Sequence, residues 1–90
     1  MRAPVVVRLP ILLTTLFPDA ERVVRIEAGT VADLMNGLEA RWPGMRDRIC
    51  DSTPAVRRHI NIFVGGRRAT LATRLAPGTD VFILTAVSGG

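Results

Sequence analysis

Lysine is absent from this chain of 90 residues, and cysteine, histidine and aromatic residues are scarce. The single cysteine, Cys50, excludes an internal disulfide. It lies nine residues from the single histidine, His59, in a different predicted element, so it has no base to activate it as a nucleophile. Four aromatic residues provide too little ring surface for a base-stacking platform. These scarcities weigh against a thiol enzyme and against a nucleic-acid binder.

The residue patterns of other enzyme classes are also missing from the sequence. It has no His/Cys cluster with metal-ligand spacing, no phosphate-cradling glycine loop ahead of a helix and no residues suited to a catalytic triad. We therefore expect a protein that is not itself an enzyme and binds no metal.

All twelve basic residues are arginine, and the net charge is +4. A basic surface suits an acidic partner or a nucleic acid. The arginines are scattered along the chain, which favours a solvated surface and argues against nucleic acid as a partner. Without lysine, the chain offers no side-chain amine for isopeptide conjugation to itself.

The N-terminal region superficially resembles a signal peptide, because Arg2 precedes the apolar segment 5–16. Arg8 and Pro10 interrupt that segment, and no small-x-small cleavage site follows it. No apolar run approaches the roughly 20 residues that span a bilayer. We therefore expect a cytoplasmic protein with no membrane partner.

The first half of the chain predicts two strands and one helix. Apolar residues alternate over residues 5–11 and again over 22–28, with a turn expected at 14–20. Thr30 is typical of a helix N-cap. The residues that follow it form one apolar stripe at helical spacing: Val31, Leu34, Met35, Leu38 and Trp42. Residues 45–49 suggest a further short turn.

The second half predicts more strands. Residues 60–64 alternate clearly, and Gly65-Gly66 suits a two-residue hairpin turn because both positions accept positive φ. Residues 67–71 return as a short strand, and residues 80–85 form the last strand. One amphipathic helix must bury its stripe on one face of a sheet. The order therefore predicts an α+β roll with a mixed sheet of four or five strands, in which the first and last strands are central, parallel neighbours.

The chain ends in Gly89-Gly90, which three residues separate from this last predicted strand. With glycine at about 7% of residues, two terminal glycines occur by chance in about 0.5% of chains. A glycine carboxylate has no bulk beside it and fits a narrow tunnel into another enzyme. The alternative is an ordinary frayed terminus. We expect a domain over residues 1–85 and a flexible tail over residues 86–90.

Three segments together resemble the MoaD/ThiS family of sulfur carriers, which have the ubiquitin-like β-grasp fold. They are residues 29–34 (Gly-Thr-Val-Ala-Asp-Leu), residues 60–66 (Ile-Asn-Ile-Phe-Val-Gly-Gly) and residues 75–84, which lead into the tail. The Asn-Ile-Phe-Val segment and the Ala-Val-Ser-Gly-Gly tail are most similar to the CysO-type carriers.

The resemblance implies a chemistry for the tail. A MoeB/ThiF-like, ubiquitin-activating-type enzyme would adenylate the Gly90 carboxylate with ATP, and a sulfur donor would displace AMP. Gly90 would then carry sulfur covalently as a thiocarboxylate for a sulfur-accepting biosynthetic enzyme, with no cofactor bound to the chain itself. The rest of the tail would provide an unhindered path into the partner: Ala86, Val87, Ser88 and Gly89.

A docking surface is expected on the sheet. The period-two pattern turns Phe82 and Leu84 away from the helix, and Phe63 does the same on a neighbouring strand. Four arginines are candidates for steering acidic partners: Arg57, Arg58, Arg67 and Arg68.

Two departures from the family pattern leave the partner open. Thr85 stands where proline is usual, and Ser88 where alanine or threonine is common. Residues 8–12 (Arg-Leu-Pro-Ile-Leu) also replace the Phe-Ala and Arg-Glu pattern of molybdopterin synthase small subunits. Cysteine, another sulfur-containing metabolite, molybdopterin and thiamin all remain open as pathways. The alternatives are a molybdopterin synthase small subunit and a ubiquitin-like modifier without sulfur transfer.

Overall fold

A computed structural model describes residues 3–53 and 55–85 of the chain. Eight elements follow one another: β1 (Val5–Arg8), α1 (Ile11–Leu16), β2 (Val23–Ile26), α2 (Val31–Arg41), α3 (Met45–Ile49), β3 (Ile60–Val64), β4 (Arg67–Arg68) and β5 (Asp80–Thr85). The five strands form one sheet in the order β2-β1-β5-β3-β4. β5 pairs in parallel with β1 and antiparallel with β3. The predicted α+β roll and the parallel pairing of the first and last strands are therefore confirmed.

The core lies between one face of this sheet and the helices. Alternate residues of β5, Val81 and Ile83, are fully buried, while their neighbours Phe82 and Leu84 are exposed. The stripe predicted for α2 is buried over its first four members, and Trp42 packs half-buried at the end of the helix. The apolar side chains that recur every two residues in the strands and every 3.6 residues in the helix thus pack into a single apolar layer.

The start of α2 follows from Thr30. Its backbone is extended, and its Oγ1 accepts a hydrogen bond from the Asp33 N–H at 3.1 Å. This satisfies one of the N–H groups that the first turn of a helix leaves unpaired. Asp33 also places a negative charge at the positive end of the helix dipole.

The β3–β4 hairpin confirms the predicted glycine turn. Gly65 and Gly66 have φ values of 58° and 82°, the left-handed region that glycine enters without strain. The returning strand is shorter than expected, since it ends at Arg68 instead of residue 71.

Two predicted segments differ from the structure. The first strand ends at Arg8 rather than residue 11, and residues 11–16 form the short helix α1 inside the region where a strand end and a turn were expected. Pro10 lacks an N–H for the ladder, so the strand stops and the helix begins after it. Residues 45–49, predicted as a short turn, form the five-residue helix α3.

Candidate functional site

Phe63 and Phe82 lie directly opposite each other across the β3–β5 ladder, on the sheet face away from the helices. Phe82 is 41% exposed and Phe63 is half-buried. Leu84 lies two residues further along β5 on the same face and is 44% exposed. The structure therefore brings together the three residues that the sequence predicted as a docking surface. Their role in partner binding stays a prediction.

Arginines flank the apolar patch formed by Phe63, Phe82 and Leu84 on both sides across the sheet. Arg8 pairs in register with Phe82 on one side, and Arg68 pairs with Phe63 on the other. The guanidinium carbon of Arg8 lies 5.3 Å from the centroid of the Phe82 ring, within the range of a cation–π contact. The place of Arg8 in this surface was not predicted from the sequence, because its position beside Phe82 depends on the pairing of residues 74 positions apart in the chain.

The central strand ends where the predicted tail begins. Thr85, the last residue of β5, pairs with Ile60, the first residue of β3. β1 runs parallel to β5, so both strands end at the same edge of the sheet. Outside the described residues lie the five predicted tail residues: Ala86, Val87, Ser88, Gly89 and Gly90.

Helix α1 adds exposed apolar surface after the end of β1. Ile11 is 65% exposed, and Leu12 and Leu16 are also exposed, while Leu13 alone is buried. This helix was not predicted from the sequence, because its nearly continuous apolar run shows neither period two nor period 3.6.

Of the other arginines predicted to steer partners, Arg57 has a structural role. Its Nε donates to the Asp47 carbonyl at 2.7 Å, and its backbone N–H donates to the Ile49 carbonyl at 2.9 Å. These bonds hold the segment before β3 against α3. Arg58 is exposed in the same segment, and Arg67 lies beside the hairpin turn.

A groove of about 430 Å³ opens on the helical side of the molecule, away from the aromatic pair. Cys50 lies at the wall of this groove and is only 5% exposed. Burial raises the pKa of the Cys50 thiol, which keeps it protonated at neutral pH and speaks against a nucleophile. Within the described ranges, no three His, Cys, Asp or Glu side chains gather as metal ligands would. Nor does any helix among these residues have the length and hydropathy of a membrane span.

The fold defines a class of protein. A five-stranded mixed sheet with parallel first and last strands at its centre, closed on one main helix, is the ubiquitin-like β-grasp fold.

Comparison with known proteins narrows this class. The chain is 34% identical over 76 residues to the sulfur carrier protein CysO of Mycobacterium tuberculosis, covering 78% of this chain and 82% of the relative. It is 29% identical over 72 residues to small archaeal modifier protein 1 of Haloferax volcanii, covering 77% and 83%. No protein-family model matches the chain.

Comparison with solved structures supports the same family as the sequence comparison. The crystal structure of the Amycolatopsis orientalis BexX/CysO complex contains a chain that superposes with a TM-score of 0.84 at 28% identity, over 96% of this chain and 99% of that one. The chain thus belongs to the family of ubiquitin-like β-grasp sulfur carriers that includes CysO, which confirms the resemblance carried by its sequence motifs.

Proposed function

We propose that this sulfur carrier works through its C-terminus: an ATP-dependent enzyme adenylates the Gly90 carboxylate, and a thiocarboxylate formed there donates sulfur in biosynthesis. The carboxylate oxygen attacks the α-phosphorus of ATP and releases pyrophosphate. A sulfur nucleophile then attacks the acyl carbon and expels AMP. The chain itself supplies the acyl group and the docking surface, and the partner enzymes supply the catalysts.

One observation carries this proposal more than any other. The strand that leads to Gly89-Gly90 is the central strand of the sheet, and its outward face bears the exposed side chains of Phe82 and Leu84. A partner that docks on this face would therefore hold the root of the tail at Thr85. The five residues beyond Thr85 reach about 17 Å when extended, at roughly 3.3–3.6 Å per residue. That length suits entry of the carboxylate into a buried active site.

The similarity to CysO in the BexX/CysO complex supports docking on a partner protein. Phe82, Leu84 and Phe63 are the residues proposed to make that contact. The acceptor of the sulfur is proposed to be a biosynthetic enzyme for cysteine or another sulfur-containing metabolite, and the cytoplasm is the proposed compartment.

The decisive experiment is an intact-mass measurement after incubation with ATP, sulfide and a candidate activating enzyme from the same genome. Replacement of one oxygen by sulfur at Gly90, localised by fragmentation and trapped by a thiocarboxylate-selective reagent, is the expected result. Localisation is needed because oxidation of Cys50 or of a methionine changes the mass by nearly the same amount. An unmodified Gly90 with every such enzyme would overturn the proposal.

A second candidate function is protein modification, favoured by the similarity to small archaeal modifier protein 1. The same adenylated Gly90 would then form an amide with a lysine of a target protein. Tryptic peptide mapping of adducts would reveal a remnant of residues 75–90 on target lysines in this case, because Arg74 is the last basic residue of the chain, and no such remnant if the chain only carries sulfur.

A further inference from the structure

Two arginines flank the aromatic pair on the outward face of the sheet. One row of side chains runs from Arg8 on β1 through Phe82 and Phe63 to Arg68 on β4. Neighbouring strands lie about 4.8 Å apart, so the backbones of the two arginines are separated by about 14 Å. The apolar centre of the proposed docking surface is therefore bounded by a positive charge on each side.

Arg8 is held only loosely by its own molecule. Its Nη2 lies 3.4 Å from Asp80 Oδ1, with the two side chains 44% and 55% exposed. Water screens an ion pair of this kind, and such exposed pairs hold their geometry weakly. A carboxylate supplied by a partner is thus able to displace Asp80 while the Arg8 guanidinium stays over the Phe82 ring.

The charge on this face is unbalanced. Among the residues of the five described strands, Asp80 is the one acidic side chain, and it is engaged with Arg8. Arg68 is exposed at the opposite end of the row, and Arg25 is exposed on β2 of the same face. A second copy of this chain would set arginines against arginines, so the face does not suit self-association.

We propose that the enzyme that adenylates the tail presents an apolar patch bounded by carboxylates, one of which takes Arg8 from Asp80 and another of which pairs with Arg68. This inference rests on the proposed function. Asp80 then acts as an internal competitor: it holds Arg8 in the free carrier and lowers the affinity of the partner for this face.

The test is the KM for the carrier in ATP–pyrophosphate exchange with an activating enzyme from the same genome. Arg8→Gln and Arg68→Gln should each raise this KM by about two- to fivefold, as loss of one exposed ion pair does. Arg48→Gln, on α3 in the helical layer, removes the same charge and should change KM by less than about 1.5-fold. Raising the salt concentration should narrow the gap between these variants and the unchanged chain.

Asp80→Asn distinguishes a role of Arg8 in partner recognition from a merely structural role of the Arg8–Asp80 ion pair. If Asp80 competes with the partner for Arg8, Asp80→Asn should lower KM by up to about twofold, whereas Arg8→Gln raises it. If the ion pair only stabilises the protein, both variants should change KM in the same direction. Asp33→Asn on α2 is the control for the change in net charge.

The outcomes are distinct. If the unchanged chain supports exchange but Arg8→Gln and Arg68→Gln behave like Arg48→Gln, or Asp80→Asn raises KM, this inference is wrong and the proposed function stands. If the unchanged chain supports no exchange with any candidate enzyme, the proposed function fails and this inference fails with it.

Discussion

Phe63 and Phe82 lie directly opposite each other on the open face of the sheet, while the residues on either side of Phe82, Val81 and Ile83, are fully buried on the other face. A single strand thus stabilises the core with one set of side chains and presents apolar surface with the other. The partner recognition proposed for Phe82 and Leu84 is therefore separable from stability by mutation along β5.

Substitution of the exposed residues should affect docking more than folding. We expect Phe82→Ser or Leu84→Ser to raise the KM for the carrier in ATP–pyrophosphate exchange by at least about tenfold, since a few residues packed at the centre of an interface carry most of its binding energy. The free energy of unfolding in urea should change by less than about 1 kcal/mol. Ile83→Ala is the contrasting variant, because deleting buried methyl groups costs about 2–5 kcal/mol. An equal loss of unfolding free energy in all three variants would contradict the assignment of Phe82 and Leu84 to docking and of Ile83 to the core.

Removal of Gly90 should abolish thiocarboxylate formation without unfolding the domain. The deletion leaves β5 and its pairing intact but shortens the tail by about 3.5 Å. Under the proposed function, the shortened chain would hold its carboxylate short of the ATP in the activating enzyme. Mass spectrometry should show no sulfur on the shortened chain, and its urea unfolding curve should match that of the full chain. Sulfur transfer by the shortened chain would contradict the proposed role of Gly90.

Gly37 of α2 packs closely on Ile26 of β2. A Cβ at residue 37 would lie 2.8 Å from Ile26 Cγ2, on a β-branched side chain that is itself buried. Alanine usually stabilises a helix by up to about 1 kcal/mol relative to glycine. Here we expect Gly37→Ala to destabilise the protein by about 1–3 kcal/mol, as overpacking does.

A double-mutant cycle with Ile26→Ala checks this contact. The methyl group at residue 37 should cost much less when Ile26 is shortened, giving a favourable coupling energy in urea unfolding. If Gly37→Ala stabilises the unchanged protein, the helix and sheet are not in the close contact described.

Glu39 caps α3 from the end of α2. Its two carboxylate oxygens accept hydrogen bonds from the backbone N–H groups of Gly44 and Arg46, each at 3.0 Å. The Gly44 bond, followed by the Arg46 bond, holds the pKa of Glu39 below its usual value. A lowered pKa in the folded state means that the ionised form stabilises the protein. This contribution is fully present above the unfolded pKa of about 4.3 and is lost as pH falls through the lower folded value.

Glu39→Gln should therefore be less stable than the unchanged protein at neutral pH, with a difference that shrinks on acidification below about pH 4. Urea unfolding at several pH values from 7 to 3 measures that difference. Asp51, whose pKa is lowered by bonds from Thr53 and Ala55, remains in both proteins and cancels from the comparison. A stability difference independent of pH would show that the charge of Glu39 is not what caps α3.

Local chemistry explains which elements were predictable. Thr30 marks the start of α2, Gly65 and Gly66 mark the hairpin, and the alternation over residues 80–85 identifies the exposed Phe82 and Leu84. Each signal acts within a few residues, so it is readable along the chain. The family resemblance was readable for a similar reason, because its motifs are short and contiguous.

Helix α1 was not predictable in the same way. Its one buried side chain, Leu13, is covered by tertiary packing, and its remaining apolar residues are exposed against the usual preference. A run of apolar residues without a clear period does not distinguish a strand end from a short helix.

The sequence by itself determined the alternation of buried and exposed residues and the caps and turns, because these depend on side-chain chemistry and backbone freedom at neighbouring positions. It also contains the terminal Gly89-Gly90 directly. Only the tertiary structure decided that Arg8, Phe82, Phe63 and Arg68 form one row. That row depends on the register of three strand pairings, and a shift of one residue in any of them would turn its side chains to the opposite face. Register is set by the burial of the whole apolar layer against the helices.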